Sequence, residues 1–348
     1  MESVTYVVAL FNLRKREGQD KDTDHFSSIQ MYLTAAAPLL RSQFPFVIFC
    51  EPDLLAPLRE LRGSNPTIFH AMEFEQLPFW HLYPTIHHNN NVNPVFYVSP
   101  EKFTSLYYLV INHKAEFVRR VADENPFKTE WFAWVDMRIV LPETGLSAMS
   151  QWWDPERVNL TMMSLIDRDR LKDRYSFFRN NHGWTAGGFF AGKRQPILDF
   201  TTTVIAEWKR ALDEVYCPSD ETMFTFMACA YPDTVSPASF GDYGDLLRNQ
   251  AAVCQRADRV YSIQEFALVK GDIHISVKAG EGLRRGYLAG FLNHMADHEK
   301  FHIFYRLKLA YEQQGRLALA AERTRELLTN PEMRPMIERF APHLNDAV

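Results

Sequence analysis

Trp131-Phe132-Ala133-Trp134-Val135-Asp136-Met137-Arg138-Ile139-Val140 sets five uncharged residues, most of them aromatic or branched, ahead of a single carboxylate. A run without polar alternation reads as a strand covered on both faces, hence a central strand of an α/β sheet. A carboxylate at its end is expensive to desolvate unless it is paired or bound to a cation. Ligands of open α/β sheets sit in the crevice at the carboxyl ends of the strands. Asp136 is therefore the first candidate functional residue. The structural alternative is a carboxylate that caps the next turn or pairs with Arg138.

The flanking sequence supports this fold class. Residues Thr5–Phe11 form an apolar strand, Ser27–Leu40 has helical spacing, Phe44–Cys50 is a second strand, Leu54–Arg62 a short helix and Thr67–Phe74 a third strand. This β-α-β-α-β order predicts a mostly parallel, Rossmann-type sheet flanked by helices. Leu77–Pro100 reads as irregular, and Ser99–Ala122 as a long helix. A further strand is expected at Val158–Ile166, helices at Ile197–Glu214 and Glu221–Ala230, and a short strand at Asp233–Pro237. The alternation of Ile273–Val277 predicts a closing strand. From about Gly282 the pattern is helical, with two helices around Gly315 like one tetratricopeptide-type hairpin, expected to pack on the main domain or to make a homo-oligomer or partner contact. The expected division is a catalytic domain over 1–281 and a helical extension over 282–348.

Composition narrows the class. The 348 residues carry a net charge of −5, which gives no overall basic signature of a nucleic-acid binder. The 26 Phe, 14 Tyr and 7 Trp suit stacking on bases or sugar rings, or a large core. Cys50, Cys217, Cys229 and Cys254 form no CxxC pair, so a zinc knuckle is not expected, and their spacing fits a reducing compartment. No basic-then-apolar leader and no run of about 18 apolar residues is seen. A cytoplasmic protein is expected, at most peripheral to the inner membrane.

Further residue sets have chemical potential. Gly187-Gly188, in Gly183-Trp184-Thr185-Ala186-Gly187-Gly188-Phe189-Phe190, permit close approach of backbone to a ligand, with His182 and Trp184 facing the same pocket. A glycine-rich turn into a core strand explains them equally. Asp220 and Glu221 follow Ser219 at a helix start, where acids favour the helix dipole; one of them would otherwise act as a general base. Alternation would put Asp272, His274, Ser276 and Lys278 on one strand face. Arg14, Lys15 and Arg16 follow the first strand, where Arg14 would pair a phosphate bidentately, and Lys114 lies on the long helix.

Taken in order, Val7-Val8-Ala9-Leu10-Phe11-Asn12-Leu13-Arg14, Phe46-Val47-Ile48-Phe49-Cys50, Asn93-Pro94, Ser99-Pro100-Glu101, Lys114, Phe132-Ala133-Trp134-Val135-Asp136, Ala186-Gly187-Gly188-Phe189-Phe190 and Asp220-Glu221 resemble the HtrL/YibB family over about residues 4–245. That resemblance implies a GT-A-like fold and a glycosyltransferase that passes a sugar from a nucleotide sugar to a glycan or lipid-linked glycan hydroxyl, in lipopolysaccharide or surface-polysaccharide synthesis. It implies Mn²⁺ or Mg²⁺ held by Asp136, with His274 as second ligand, and a donor site that includes Arg14, Lys114, Trp134, Arg138, Gly187, Gly188 and Lys278. The family's W-[IL]-D-x-G pattern stands here as Trp134-Val135-Asp136-Met137-Arg138, with arginine in place of the glycine. A non-catalytic nucleotide- or glycan-binding protein on the same scaffold is the rival that this arginine favours.

Overall fold

Seven strands form one sheet: β1 (Val4–Leu10), β2 (Phe46–Cys50), β3 (Thr67–Ala71), β4 (Trp131–Val135), β5 (Val158–Met162), β6 (Thr185–Lys193) and β7 (Val235–Phe240). Their spatial order is β3-β2-β1-β4-β6-β5-β7. All neighbours are parallel except that β6 runs antiparallel to both β4 and β5. The computed structural model describes residues 3–16, 29–96, 103–139, 152–164, 166–180, 183–240 and 257–347.

The helices are α1 (Leu13–Arg16), α2 (Ile29–Leu40), α3 (Leu55–Arg62), α4 (Tyr83–Val92), α5 (Ser105–Glu124), α6 (Arg174–Arg179), α7 (Arg194–Asp213), α8 (Asp220–Ala230), α9 (Ala257–Val269), α10 (Ile273–Leu288), α11 (Asp297–Gln313), α12 (Leu317–Thr329) and α13 (Arg334–Phe340). Successive strand side chains point to opposite faces. Trp131, Ala133 and Val135 of β4 therefore join Tyr6, Val8, Phe46 and Ile48 under α2 and α3. Phe132 and Trp134 join Val7, Val47 and Phe49 under α5 and α7. Every residue of β4 is buried, as expected for a strand covered on both sides.

Helix α5 positions the site and is fixed at both ends. Thr104 caps its start, accepting from Tyr107 N at 3.2 Å. Asn125 ends it in the left-handed region at φ 39°, and its side chain bonds both main-chain polar groups of Thr129. Thr129 Oγ1 in turn lies 2.6 Å from Thr5 Oγ1 of β1. The register of α5 against the sheet is thus held where the chain enters β4.

His113, on α5, is wholly buried. Its Nδ1–H donates to Leu109 O at 2.7 Å, and its Nε2 accepts from Phe79 N at 3.0 Å, so the ring sits as the neutral imidazole. Burial pushes its pKa down to about 4, although the Leu109 carbonyl opposes this. The unfolded chain binds a proton that the native chain refuses. This contribution is therefore complete above about pH 6.5 and is lost as pH falls toward 4. His113 should contribute about 3 kcal/mol of the fall in unfolding free energy measured by urea titration across that window, and a His113→Gln variant should lose that share of the slope.

The structure corrects the sequence reading at Ile273–Val277. This segment is the first turns of α10, not a strand. Its β-branched residues alternate, but Ser276, Ala279, Gly280 and Gly282 are buried and small, and they let α10 pack closely on α9 and α11. A Cβ on Gly280 would fall 2.4 Å from Gln264 Nε2. Tertiary packing thus overrides a weak β preference. The division expected after residue 281 falls inside this helix. One apolar cluster runs from Val7 and Phe132 to Leu292, Phe301 and Phe304. The segment expected to be irregular contains α4, whose buried Asn89 donates to Leu212 O and Tyr216 O. Gly315, at φ 70°, makes the turn between α11 and α12. No described helix is long and apolar enough to cross a membrane.

Candidate functional site

A cavity of about 280 Å³ opens at the carboxyl ends of β1 and β4, the place where open α/β sheets bind ligands. Its lining includes the apolar or aromatic Leu10, Phe11, Leu13, Ile29, Tyr32 and Met137. It also includes Tyr107, Lys114, Trp134, Asp136, Arg138, Gly187, Asp220 and Glu221.

Asp136 sits one residue beyond β4, and its N–H donates to Gly188 O at 2.8 Å, so β6 holds the end of β4 in place. The chain then turns, with Ile139 N donating to Asp136 O at 3.0 Å. The carboxylate is oriented by Trp134, whose Nε1–H donates to Oδ1 at 2.7 Å. Lys114 Nζ approaches Asp136 Oδ1 at 3.0 Å and Oδ2 at 3.2 Å, Asp220 Oδ2 at 2.6 Å and Gly187 O at 3.0 Å. The Lys114 and Asp220 side chains are buried, whereas that of Asp136 is 38% exposed and faces the cavity. Burial alone would push the Lys114 ammonium down. Asp136 and Asp220 together overrule it and hold the group above its ordinary value, hence charged.

Asp220 is the first residue of α8, after Ser219, which caps the helix by accepting from Thr222 N at 3.2 Å. Its Oδ1 accepts from Glu221 N at 3.0 Å. With Oδ2 against Lys114, the Asp220 carboxylate is committed to the protein, and Glu221 is the acid of this pair that is half-buried at the cavity. Gly187 makes the arrangement possible, because a Cβ there would fall 2.3 Å from Asp220 Oδ2. The glycine pair lies within β6, so the expected close approach is between backbone and a carboxylate of the protein itself.

Arg138 is exposed at the cavity rim, its guanidinium 5.6 Å from the Tyr32 ring centre. Trp184 lies elsewhere, against Phe177 and under Arg170. His274 and Lys278 are not at this site. On α10, His274 Nε2 lies 2.9 Å from Ser236 Oγ and 3.6 Å from Asp154 Oδ2, and Lys278 donates to Trp152 O. Asp154 precedes β5 and Ser236 is near the start of β7. Because β4, β5 and β7 run in the same direction, this cluster is at the opposite end of the sheet from Asp136. Burial pushes His274 down to about 4, so it is neutral there. His182 and the side chain of Arg14 lie outside the described residues. Tyr107, Val110 and Ile111 line the cavity with Lys114, a stripe at i, i+3, i+4 and i+7 that was readable as one helix face.

Among the described residues, the donor set does not fit the expected Mn²⁺ or Mg²⁺. Such ions take several oxygens in a near-octahedral shell. Both Asp136 oxygens and Asp220 Oδ1 accept from the protein's own donors, Asp220 Oδ2 is ion-paired with the Lys114 ammonium, and His274 is remote. Among the described residues, no group of three or more His, Cys, Asp and Glu side chains is placed to hold a metal ion.

The chain is 22% identical over 234 residues to protein HtrL of Escherichia coli (strain K12), covering 64% of this chain and 82% of that protein. Among solved structures it is similar to mouse xyloside xylosyltransferase 1 in its apo form, with a TM-score of 0.37 and 12% identity, over 68% of this chain and 84% of the other. The model of the family described as "Bacterial protein of unknown function (HtrL_YibB)" matches residues 2–252, well over half of the sequence, and the chain belongs to that family.

Proposed function

We propose that the cavity binds a nucleotide-activated sugar and that the protein is a GT-A-like glycosyltransferase that passes the glycosyl group to a glycan hydroxyl. The observation that carries this reading is a cavity at the strand ends whose lining combines apolar and aromatic residues with a carboxylate held in place. Leu10, Phe11, Ile29 and Tyr32 suit a planar base. Asp136, held by Trp134 and Lys114, suits sugar hydroxyls, which both donate and accept. Arg138 at the rim meets the diphosphate bidentately. Glu221 takes the proton of the acceptor hydroxyl, and Asp220 positions Lys114. An acceptor on lipopolysaccharide or another surface polysaccharide is proposed from the family resemblance alone.

The test is release of free nucleoside diphosphate when the protein is incubated with UDP-, GDP-, CMP- and dTDP-sugars and oligosaccharide acceptors, with nucleoside monophosphate as the product followed for the CMP-sugars. Wild type should release the nucleotide from one donor class. Glu221→Gln should release it about 100-fold more slowly at an unchanged melting temperature. Binding of a donor with no release by wild type would instead favour the binding protein, with Arg138 as its signature.

A further inference from the structure

We infer that the Lys114 ammonium stands where a divalent cation would stand between Asp136 and Asp220, so that the site takes a nucleotide sugar without a metal ion. Four oxygens from three separate elements converge on Nζ: Asp136 Oδ1 at 3.0 Å and Oδ2 at 3.2 Å after β4, Asp220 Oδ2 at the start of α8 at 2.6 Å, and Gly187 O in β6 at 3.0 Å. Two carboxylates and a main-chain carbonyl are the hard oxygen donors that Mn²⁺ and Mg²⁺ select. Here that partial shell surrounds a nitrogen tethered through the middle of α5. The Trp134 ring, centred 5.6 Å from Nζ, covers a further side. A side chain this buried does not exchange with ions from solution, and its positive charge removes much of the attraction the two carboxylates would have for one.

The statement about donor binding rests on the reading proposed above, but the place of the ammonium between the carboxylates does not. Removing Lys114 should turn the same oxygens into a divalent site. Wild type and Lys114→Met are titrated with Mn²⁺ alone, free Mn²⁺ being followed by electron paramagnetic resonance and stability by thermal melting. Wild type should bind no stoichiometric Mn²⁺ and its melting temperature should not move. Lys114→Met should bind one Mn²⁺ per chain and gain melting temperature with it, and adding Asp220→Asn should abolish both gains. Stoichiometric binding by wild type that Asp136→Asn removes would overturn the inference, as would a folded Lys114→Met that gains no Mn²⁺. If Lys114→Met does not fold, Lys114→Gln, which carries no charge and whose amide oxygen suits a hard cation, takes its place with the same expected Mn²⁺ binding. No nucleotide is present in these titrations, so failure of the nucleotide-sugar reading and failure of this inference give separate results.

Discussion

Gly187→Ala should lose about 3–5 kcal/mol of unfolding free energy and the ligand affinity of the cavity with it. The added methyl would need the space now held by Asp220 Oδ2, 2.3 Å from the ideal Cβ position. Overpacking a filled site costs about 1–3 kcal/mol, and separating one partner of a buried ion pair about 3–5 kcal/mol. Asp220 has little room to yield, because it opens α8 and its carboxylate is held by Lys114 and by Glu221 N. Urea unfolding should show a lower midpoint at an unchanged slope, the sign of lost stability in an otherwise similar fold. Gly183→Ala is the control. Among the described residues, no atom beyond its chain neighbours lies within 4 Å of a Cβ there, so its stability should stay within about 0.5 kcal/mol of wild type.

Lys114→Met, without added metal, should be destabilised by a similar amount, about 3–5 kcal/mol, for a different reason. Methionine replaces the aliphatic stem but ends one atom short of Nζ, so it leaves two carboxylates facing each other in the cavity with no positive charge between them. The double variant Lys114→Met/Asp220→Asn should recover part of the loss, because neutral groups need no counter-charge. The interaction energy from the double-mutant cycle, read from chemical denaturation, should be well above the roughly 0.5 kcal/mol expected of independent sites. Simple additivity would mean that the ammonium and Asp220 do not act as a unit.

Much of this site was legible because it lies where strong local signals meet. Asp136 stood out as the charge closing an apolar run, and the run proved to be the fully buried β4. Asp220 and Glu221 stood out at a helix start. Their division of labour was not legible, since it depends on Gly187 in β6 admitting one carboxylate to Lys114. Lys114 stood out only as a basic residue on the long helix, and its place between two carboxylates is set by where α5 crosses the strand ends. Tyr107 was hidden in the same way, although it shares the helix face of Lys114. His274 and Lys278 were misplaced because Ile273, Ile275 and Val277 alternate as in a strand, whereas the small residues around them build a helix whose contacts come from α9 and α11. The tail hairpin was visible from Gly315. Its continuity with the main core was not, because the contacts join residues far apart in sequence.

The most direct test of the central claim is a calorimetric titration of wild type and Asp136→Asn with UDP-, GDP-, CMP- and dTDP-sugars in the presence of a chelator. Asparagine keeps an oxygen for Trp134 Nε1–H but removes the charge that faces the cavity. The account predicts that wild type binds one donor class at one site per chain without metal, and that Asp136→Asn binds it at least about tenfold more weakly, or 1.4 kcal/mol, at a similar melting temperature. No binding of any donor by wild type, or equal binding by the two proteins, would contradict it.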